Sequence, residues 1–330
     1  MAEGIDAVYA WIDGGDPAVA AELRRYAGPA AAISNRYRNN GELRYSLRSL
    51  LRHAPWVRCI HILTNGQKPR WLDCSHPRIH LVTHAEVFPE PQCLPVFNAV
   101  AIEACMHRIP GLSRRFLYMN DDFFLCRDVT PGDFFFENGG QAIYVQERPL
   151  ASARDRGSAR DRACAFTQTL LNDHWGAPTH LRRFPTHSPQ AFDRDVMFEL
   201  ESLFRDGFRR TASHRFRSPD DIVPYVLYCY SLLESPAWRG PHEVRMLPDR
   251  TPEYRFFMLE RRFLRTMHAY ERILRERPRF LCINDDLDGA SRYHPLLLSL
   301  RAFLPLCFRG RSEVEKSPAG ESAVRRERMR

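Results

Sequence analysis

The chain has 330 residues, 44% of them hydrophobic, and a formal net charge of +8. That length and apolar content suit one large globular domain or two ordinary ones and exclude a disordered chain. No zinc finger, RNP motif or basic-aromatic interleaving accompanies the positive charge, so nucleic acid is not an expected partner.

Residues 5–11, from Ile5 to Trp11, read as a buried strand ending at the turn Asp13-Gly14-Gly15-Asp16-Pro17. The acidic start before it lacks the basic and apolar regions of a signal peptide. Over 43–52, Leu43, Leu47, Leu50 and Leu51 recur at helical spacing. Short strands are predicted at 59–63 and 78–82, a helix at 96–107, and a strand at 115–119 that runs into Asn120-Asp121-Asp122. Strands separated by helices predict an α/β fold with a mainly parallel sheet covered on both faces. Ligands of such sheets bind at the carboxyl ends of the strands.

The near repeat Ser152-Ala153-Arg154-Asp155-Arg156 and Ser158-Ala159-Arg160-Asp161-Arg162 interrupts this pattern. It reads as a solvated loop or the start of a helix; the sharper alternative is a mobile lid over 150–163 above an anionic substrate. The second half is more helical, with helices predicted at 192–204, 220–233 and 253–276, before a strand at 279–283 that leads into Asn284-Asp285-Asp286. The apolar run 294–308 is broken by Pro295, Arg301 and Pro305 and is too short to cross a bilayer. From 309 onward charge dominates, so 1–308 is expected to be the catalytic domain and 309–330 a disordered tail. Its arginines suit peripheral contact with an anionic membrane face. Nine scattered cysteines without a CxxC pair indicate neither zinc nor a disulfide framework and fit a reducing, cytoplasmic setting.

Two segments share one design: an apolar strand running into Asn-Asp-Asp at 120–122 and at 284–286. Strand-end carboxylates are costly to bury unless paired or bound to a cation, and such hard oxygen ligands suit Mg²⁺ or Mn²⁺. Capping and turn tightening explain most single Asp-Asp pairs; two copies in one context favour a metal. His187 lies between Pro185 and Pro189, which hold the backbone extended. A loop histidine is ordinarily a surface group, but this one is presented rigidly enough to serve as a general base. In Arg217-Ser218-Pro219-Asp220-Asp221 the acids are expected to open a helix capped by Ser218, leaving Arg217 for a phosphate. Asn40-Gly41-Glu42-Leu43-Arg44 opens another helix where Arg44 can meet an anion. Asp13 and Gly14 occupy a turn that commonly contacts nucleotides. Arginine outnumbers lysine heavily, Lys68 and Lys316 being the only lysines, which suits phosphate recognition although compositional bias gives the same count.

Taken together these segments resemble the Stealth family of sugar-phosphate transferases. The resemblance runs over about residues 5–290 in four blocks: 5–17; 36–135 with Asn40-Gly41-Glu42-Leu43-Arg44-Tyr45-Ser46, Thr64-Asn65-Gly66-Gln67 and Asn120-Asp121-Asp122; His187-Ser188-Pro189 with Arg217; and Cys282-Ile283-Asn284-Asp285-Asp286. Ala10, Val96 and Ala99 depart from the usual pattern. The resemblance implies a GT-A-like catalytic core and transfer of a sugar with its own phosphate from a nucleotide-sugar donor, expected to be a UDP-sugar, to a glycan acceptor. It implies that Asp121, Asp122, Asn284 and Asp285 hold Mg²⁺ or Mn²⁺, that His187 is the base and that Arg217 stabilises phosphate charge. Asp13, Gly14, Arg44 and Asn120 would contact the donor.

Overall fold

A computed structural model describes residues 4–28, 34–152, 157–238, 240–259 and 261–317. Among the described residues the strands are β1 (Ile5–Ala10), β2 (Val57–Thr64), β3 (Ile79–Thr83), β4 (Arg115–Asn120), β5 (Phe123–Leu125), β6 (Ala142–Pro149), β7 (Arg183–Pro185), β8 (Gln190–Asp193), β9 (Glu243–Met246), β10 (Tyr254–Leu259) and β11 (Phe280–Asp285). The helices are α1 (Pro17–Ala27), α2 (Glu42–His53), α3 (His84–Val87), α4 (Ala99–Cys105), α5 (Ala159–Trp175), α6 (Arg194–Leu203), α7 (Arg205–Ser213), α8 (Pro224–Glu234), α9 (Phe263–Glu276) and α10 (Pro295–Cys307).

The central sheet runs β3-β2-β1-β4-β8, parallel except for the antiparallel edge β8. This is the mainly parallel sheet that the sequence predicts. Side chains alternate between two cores, as the period of two demands. Val8, Phe116 and Tyr118 face one side with α5 and α8; Ala7, Tyr9, Leu117 and Met119 face the other with Leu43, Leu47 and Leu50 of α2. Two smaller sheets run β10-β11-β5 and β7-β6-β9.

Four expectations are corrected. The helix expected at 96–107 begins at Ala99, because the Asn98 side chain accepts from Val100 N and caps it there. The helix expected at 253–276 is two elements: Tyr254–Leu259 pairs in parallel with β11, residue for residue from Phe280 to Asp285, and only Phe263–Glu276 is helical. The Ser218 cap does not form; the helix starts at Pro224, and Asp221 is buried instead. The charged segment from 309 is structured as far as 317. Asp73 N donates to Val314 O at 2.8 Å and Lys316 N to Trp71 O at 2.9 Å, with Val314 fully buried. Residues 318–330 of the expected tail, and 153–156 of the expected lid, lie outside the described residues. The second half of the near repeat starts α5, where Ser158 and Asp161 form a capping box.

Glu315 explains why this short segment docks. Its carboxylate is buried and accepts from Arg44 Nε at 2.6 Å and from Arg48 Nε at 2.6 Å. Burial opposes its charge, but the hydrogen bonds from Arg48, Ser312 and Arg44 prevail and bring its pKa down to about 2. A carboxylate depressed in the folded state stabilises fully above its unfolded pKa and loses that contribution as pH falls through the folded value. Glu315→Gln is therefore expected to cost about 3 kcal/mol at neutral pH. The difference from wild type should shrink between about pH 4.5 and pH 2. Urea titrations across that range check this; an unchanged midpoint at neutral pH would show that the segment is not part of the fold.

Candidate functional site

The carboxyl ends of β1 and β4 lie side by side, Ala10 opposite Asn120, and open onto a cleft of about 650 Å³. The chain turns back directly after Asp122, and β5 pairs antiparallel with β11, Phe123 opposite Cys282. That pairing brings the two Asn-Asp-Asp motifs into one corner. Ile283 N donates to Asp122 O at 3.2 Å, and Asn284 Nδ2 to Asp122 Oδ2 at 3.2 Å. Asn120, Asp121, Asp122, Asn284 and Asp285 all line the cleft.

Within this corner the roles separate. Asp285 Oδ2 accepts from Arg38 Nη1 at 2.5 Å and Asn40 Nδ2 at 3.4 Å, and its Oδ1 accepts from Leu287 N at 2.9 Å. With both oxygens engaged it braces the end of β11 against residues 38–40, while still lining the cleft where the resemblance has it help to hold the metal. A further carboxylate stands in the corner. Glu42, the first residue of α2, is buried and held by Asn40 N at 2.6 Å and Asn40 Nδ2 at 2.8 Å. Burial, then Glu42 and Asp122, push the Asp121 carboxyl well above the usual range. Burial raises Asp122 to about 6 against hydrogen bonds from Cys282 and Asn284. Glu42 is raised too, by burial first and by Asp122 last.

Three carboxylates crowded out of water resist ionisation, and a cation relieves that cost. Among the described residues no three His, Cys, Asp or Glu side chains are already gathered at ligating distances. This donor set fits Mg²⁺ or Mn²⁺, which take one or two carboxylates and complete their shell with water and phosphate oxygens.

His187 stands between β7 and β8, where the flanking prolines place it. Its backbone N donates to Tyr254 Oη at 3.1 Å, and its ring lies 4.9 Å from Phe256 and edge-on to Phe123 at 6.4 Å. The Gln146 amide sits 3.4 Å from Nδ1. Burial, with Arg160 and Arg217 adding to it, pulls the imidazole pKa down to about 3, so it is neutral at working pH.

Arg217 lines the cleft on a loop anchored by Asp221, which accepts from Ser218 N at 2.8 Å, from Asn98 Nδ2 at 2.9 Å, and meets His214 Nδ1 at 2.7 Å. Arg36 and Arg160 line the same cleft. Burial, with those two cations, lowers the Arg217 pKa. Among the described residues the side chains of Arg36, Arg160 and Arg217 have no hydrogen bond or ion pair. Glu103, which also lines the cleft, offsets part of the charge of Arg160 and Arg217. Three guanidinium groups without a hydrogen-bonded partner, beside a neutral histidine, suit a multiply charged anion. Arg160 and Glu42 were not singled out in the sequence. A capping box gave the signal for the first, an acid at a helix start for the second, and neither motif by itself points to a site.

Asp13, Gly14 and Arg44, which the resemblance has contact the donor, do not line the cleft. Asp13 Oδ2 accepts from Asn39 Nδ2 at 2.9 Å and Gly14 N donates to Tyr37 O at 2.7 Å, so the turn fastens the segment carrying Arg36 and Arg38. A Cβ on Gly14 would meet Tyr37 O at 2.6 Å, and only glycine permits that approach. Arg44 points to Glu315 and lies over Trp71.

The profile of Stealth protein conserved region 2 matches residues 36–143, and that of conserved region 3 matches 186–232. An exopolysaccharide phosphotransferase of Streptomyces coelicolor is 44% identical over 234 residues, covering 68% of this chain and 39% of the relative. The capsular polysaccharide phosphotransferase SacB of Neisseria meningitidis serogroup A is 29% identical over 297 residues, covering 86% of this chain and 52% of the relative. The chain thus spans about two fifths to one half of the length of these two relatives. Among solved structures, the galactosyltransferase LgtC superposes with a TM-score of 0.43 at 10% identity, covering 96% of this chain and all of that one.

Proposed function

Since the chain belongs to the Stealth family, we propose that it moves a hexose-1-phosphate from a nucleotide-diphosphate sugar to a glycan hydroxyl in capsular or exopolysaccharide synthesis. The observation that carries this reading is the meeting, in one cleft, of a neutral histidine, three arginines without a hydrogen-bonded partner among the described residues, and a crowded carboxylate corner. The arginines take the diphosphate oxygens of the donor. Arg217 and Arg160, the two cations that depress His187, sit where charge gathers on the transferred phosphorus. Diphosphate charge between them offsets their effect on the imidazole, so donor binding itself makes His187 a stronger base.

In the chemical step the acceptor hydroxyl gives its proton to His187 and its oxygen bonds to the phosphorus next to the sugar. The bond from that phosphorus to the bridging oxygen breaks, and nucleoside monophosphate leaves with the electron pair. Mg²⁺ or Mn²⁺ at Asp121 and Asp122, with Asn284 and Glu42 beside them, would supply charge neutralisation to the diphosphate. Gln146 and the two phenylalanines hold the imidazole in place. Catalysis of this kind is mainly positioning and electrostatic stabilisation.

The test is to follow a donor, a UDP-sugar first, labelled in the phosphorus adjacent to the sugar. The label is expected in the glycan, with unlabelled nucleoside monophosphate released. Label found only in nucleoside diphosphate would mean attack at the sugar carbon and an ordinary glycosyltransferase.

A further inference from the structure

The carboxyl-terminal ends of α2, α9 and α10 converge on a second pocket of about 600 Å³, which shares no lining residue with the cleft. Arg52, Arg127, Arg277 and Arg309 line it against one carboxylate, the exposed Asp128, which His53 Nδ1 meets at 2.7 Å. Converging helix ends present negative dipoles, and part of this charge answers them: Arg277 Nε donates to Cys126 O at 3.3 Å and Arg309 Nε to Leu306 O at 3.2 Å. Arg127 Nη2 meets Glu253 Oε1 at 3.3 Å while its Nε is buried without a partner, and Arg52 has no side-chain bond among the described residues.

Apolar side chains form the lip of this pocket. Leu274 of α9 is 40% exposed and Leu306 of α10 is 53% exposed. Leu306 continues outward along α10 through Ala302 to Leu298, at steps of four residues that keep one face. The opposite face of α10, with Leu300, Phe303 and Leu304, fills a core, and Tyr270 of α9 stacks on Phe303 at 4.0 Å. α10 is therefore apolar outside as well as inside, with Arg301 its only charge. A surface helix of a globular protein turns a polar face outward, and an apolar one marks a contact.

We propose that the α9–α10 face docks on an anionic lipid bilayer, with lipid phosphates entering the arginine pocket and Leu274, Leu298 and Leu306 entering the interface. The combination selects a bilayer. A soluble phosphate compound would use the arginines and leave the leucines in water; a bilayer offers phosphates above and apolar chains below, in the same order as this surface. No described helix is long and apolar enough to cross a membrane, so the contact is peripheral to the bilayer as far as these residues go. The inference stands apart from the reaction proposed above, since it uses none of the cleft residues.

The experiment is sedimentation of the full chain with phosphatidylcholine vesicles, with and without phosphatidylglycerol, alongside a gel-filtration measurement of its oligomeric state. Binding is expected only with phosphatidylglycerol and is expected to weaken with salt. Each arginine replaced by glutamine should lower the partition coefficient roughly fivefold, so Arg52→Gln with Arg309→Gln together lower it about twenty-fivefold. Leu298→Asp with Leu306→Asp should abolish binding, while Leu181→Asp, at an exposed leucine outside this face, changes nothing. Circular dichroism of each variant confirms that it is folded. Equal binding to both vesicle types, binding indifferent to these substitutions, no binding at all, or a dimer that Leu306→Asp dissolves would each overturn the proposal.

Discussion

Asp121→Asn and Asp122→Asn are each expected to lower turnover by about 10³–10⁵-fold, several kcal/mol of charge stabilisation at ~1.4 kcal/mol per decade. The protein should stay folded, because the substitution removes a charge that burial opposes at both positions and that neighbouring carboxylates also oppose at Asp121. Burial, Glu42 and Asp122 all disfavour the Asp121 carboxylate, so an amide there relieves repulsion in the cation-free state. Calorimetry separates this from a general loss of structure. Wild-type protein should gain thermal stability with Mg²⁺, by about 2.7 kcal/mol at a hundredfold excess over Kd. The variants should gain almost none, from a starting midpoint no lower than wild type. Full wild-type activity in excess EDTA, or a variant that keeps the Mg²⁺-dependent shift, would remove the metal from this corner.

The second large effect is expected at His187. His187→Ala should reduce kcat by about 10²–10⁴-fold, the range for loss of a general base, with donor affinity nearly unchanged. The pH profile carries a more specific signature. In the free protein burial, with Arg160 and Arg217, brings the His187 pKa down to about 3. The imidazole is then neutral across the working range, and protonation of His187 limits kcat/KM only toward pH 3. In the donor complex the arginines are offset by phosphate charge and the pKa rises, so the acid limb of kcat should lie at higher pH than that of kcat/KM. The same sign governs stability: the unfolded chain binds a proton below about pH 6.5 that the folded chain refuses until about pH 3, so stability falls as pH drops between them. Donor affinity lost at unchanged kcat would make His187 a binding residue and place the base elsewhere.

Much of the site was legible because its parts sit at strand ends. The apolar strand before Asn120-Asp121-Asp122 and the one before Asn284-Asp285-Asp286 could be read directly, as could the rigid setting of His187 between two prolines. Roles within those motifs were less legible. Asp285 and Asp121 occupy the same place in the two motifs, yet one is bound by Arg38 and the other is set against Glu42 and Asp122. Arg44 looked suited to an anion because it opens a helix. Residues two apart on a helix do not share a face, so with Glu42 turned into the cleft Arg44 faces away, toward Glu315. The strand Tyr254–Leu259 was mistaken for helix because six mixed apolar residues carry no decisive period; its partner β11 settles the matter.

The sequence by itself determined the parallel α/β layering, the strand-end position of the acids and the family, since these rest on local periodicity and contiguous motifs. Tertiary structure alone decided which of those acids share a corner, which arginines gather in the cleft and where the charged segment up to residue 317 goes. Each of these depends on contacts between residues far apart in the chain: Asp122 with Asn284, Arg38 with Asp285, Arg44 with Glu315. Charges at that separation leave no periodic trace, because their pairing is fixed by how strands register and helices turn, and not by spacing along the chain.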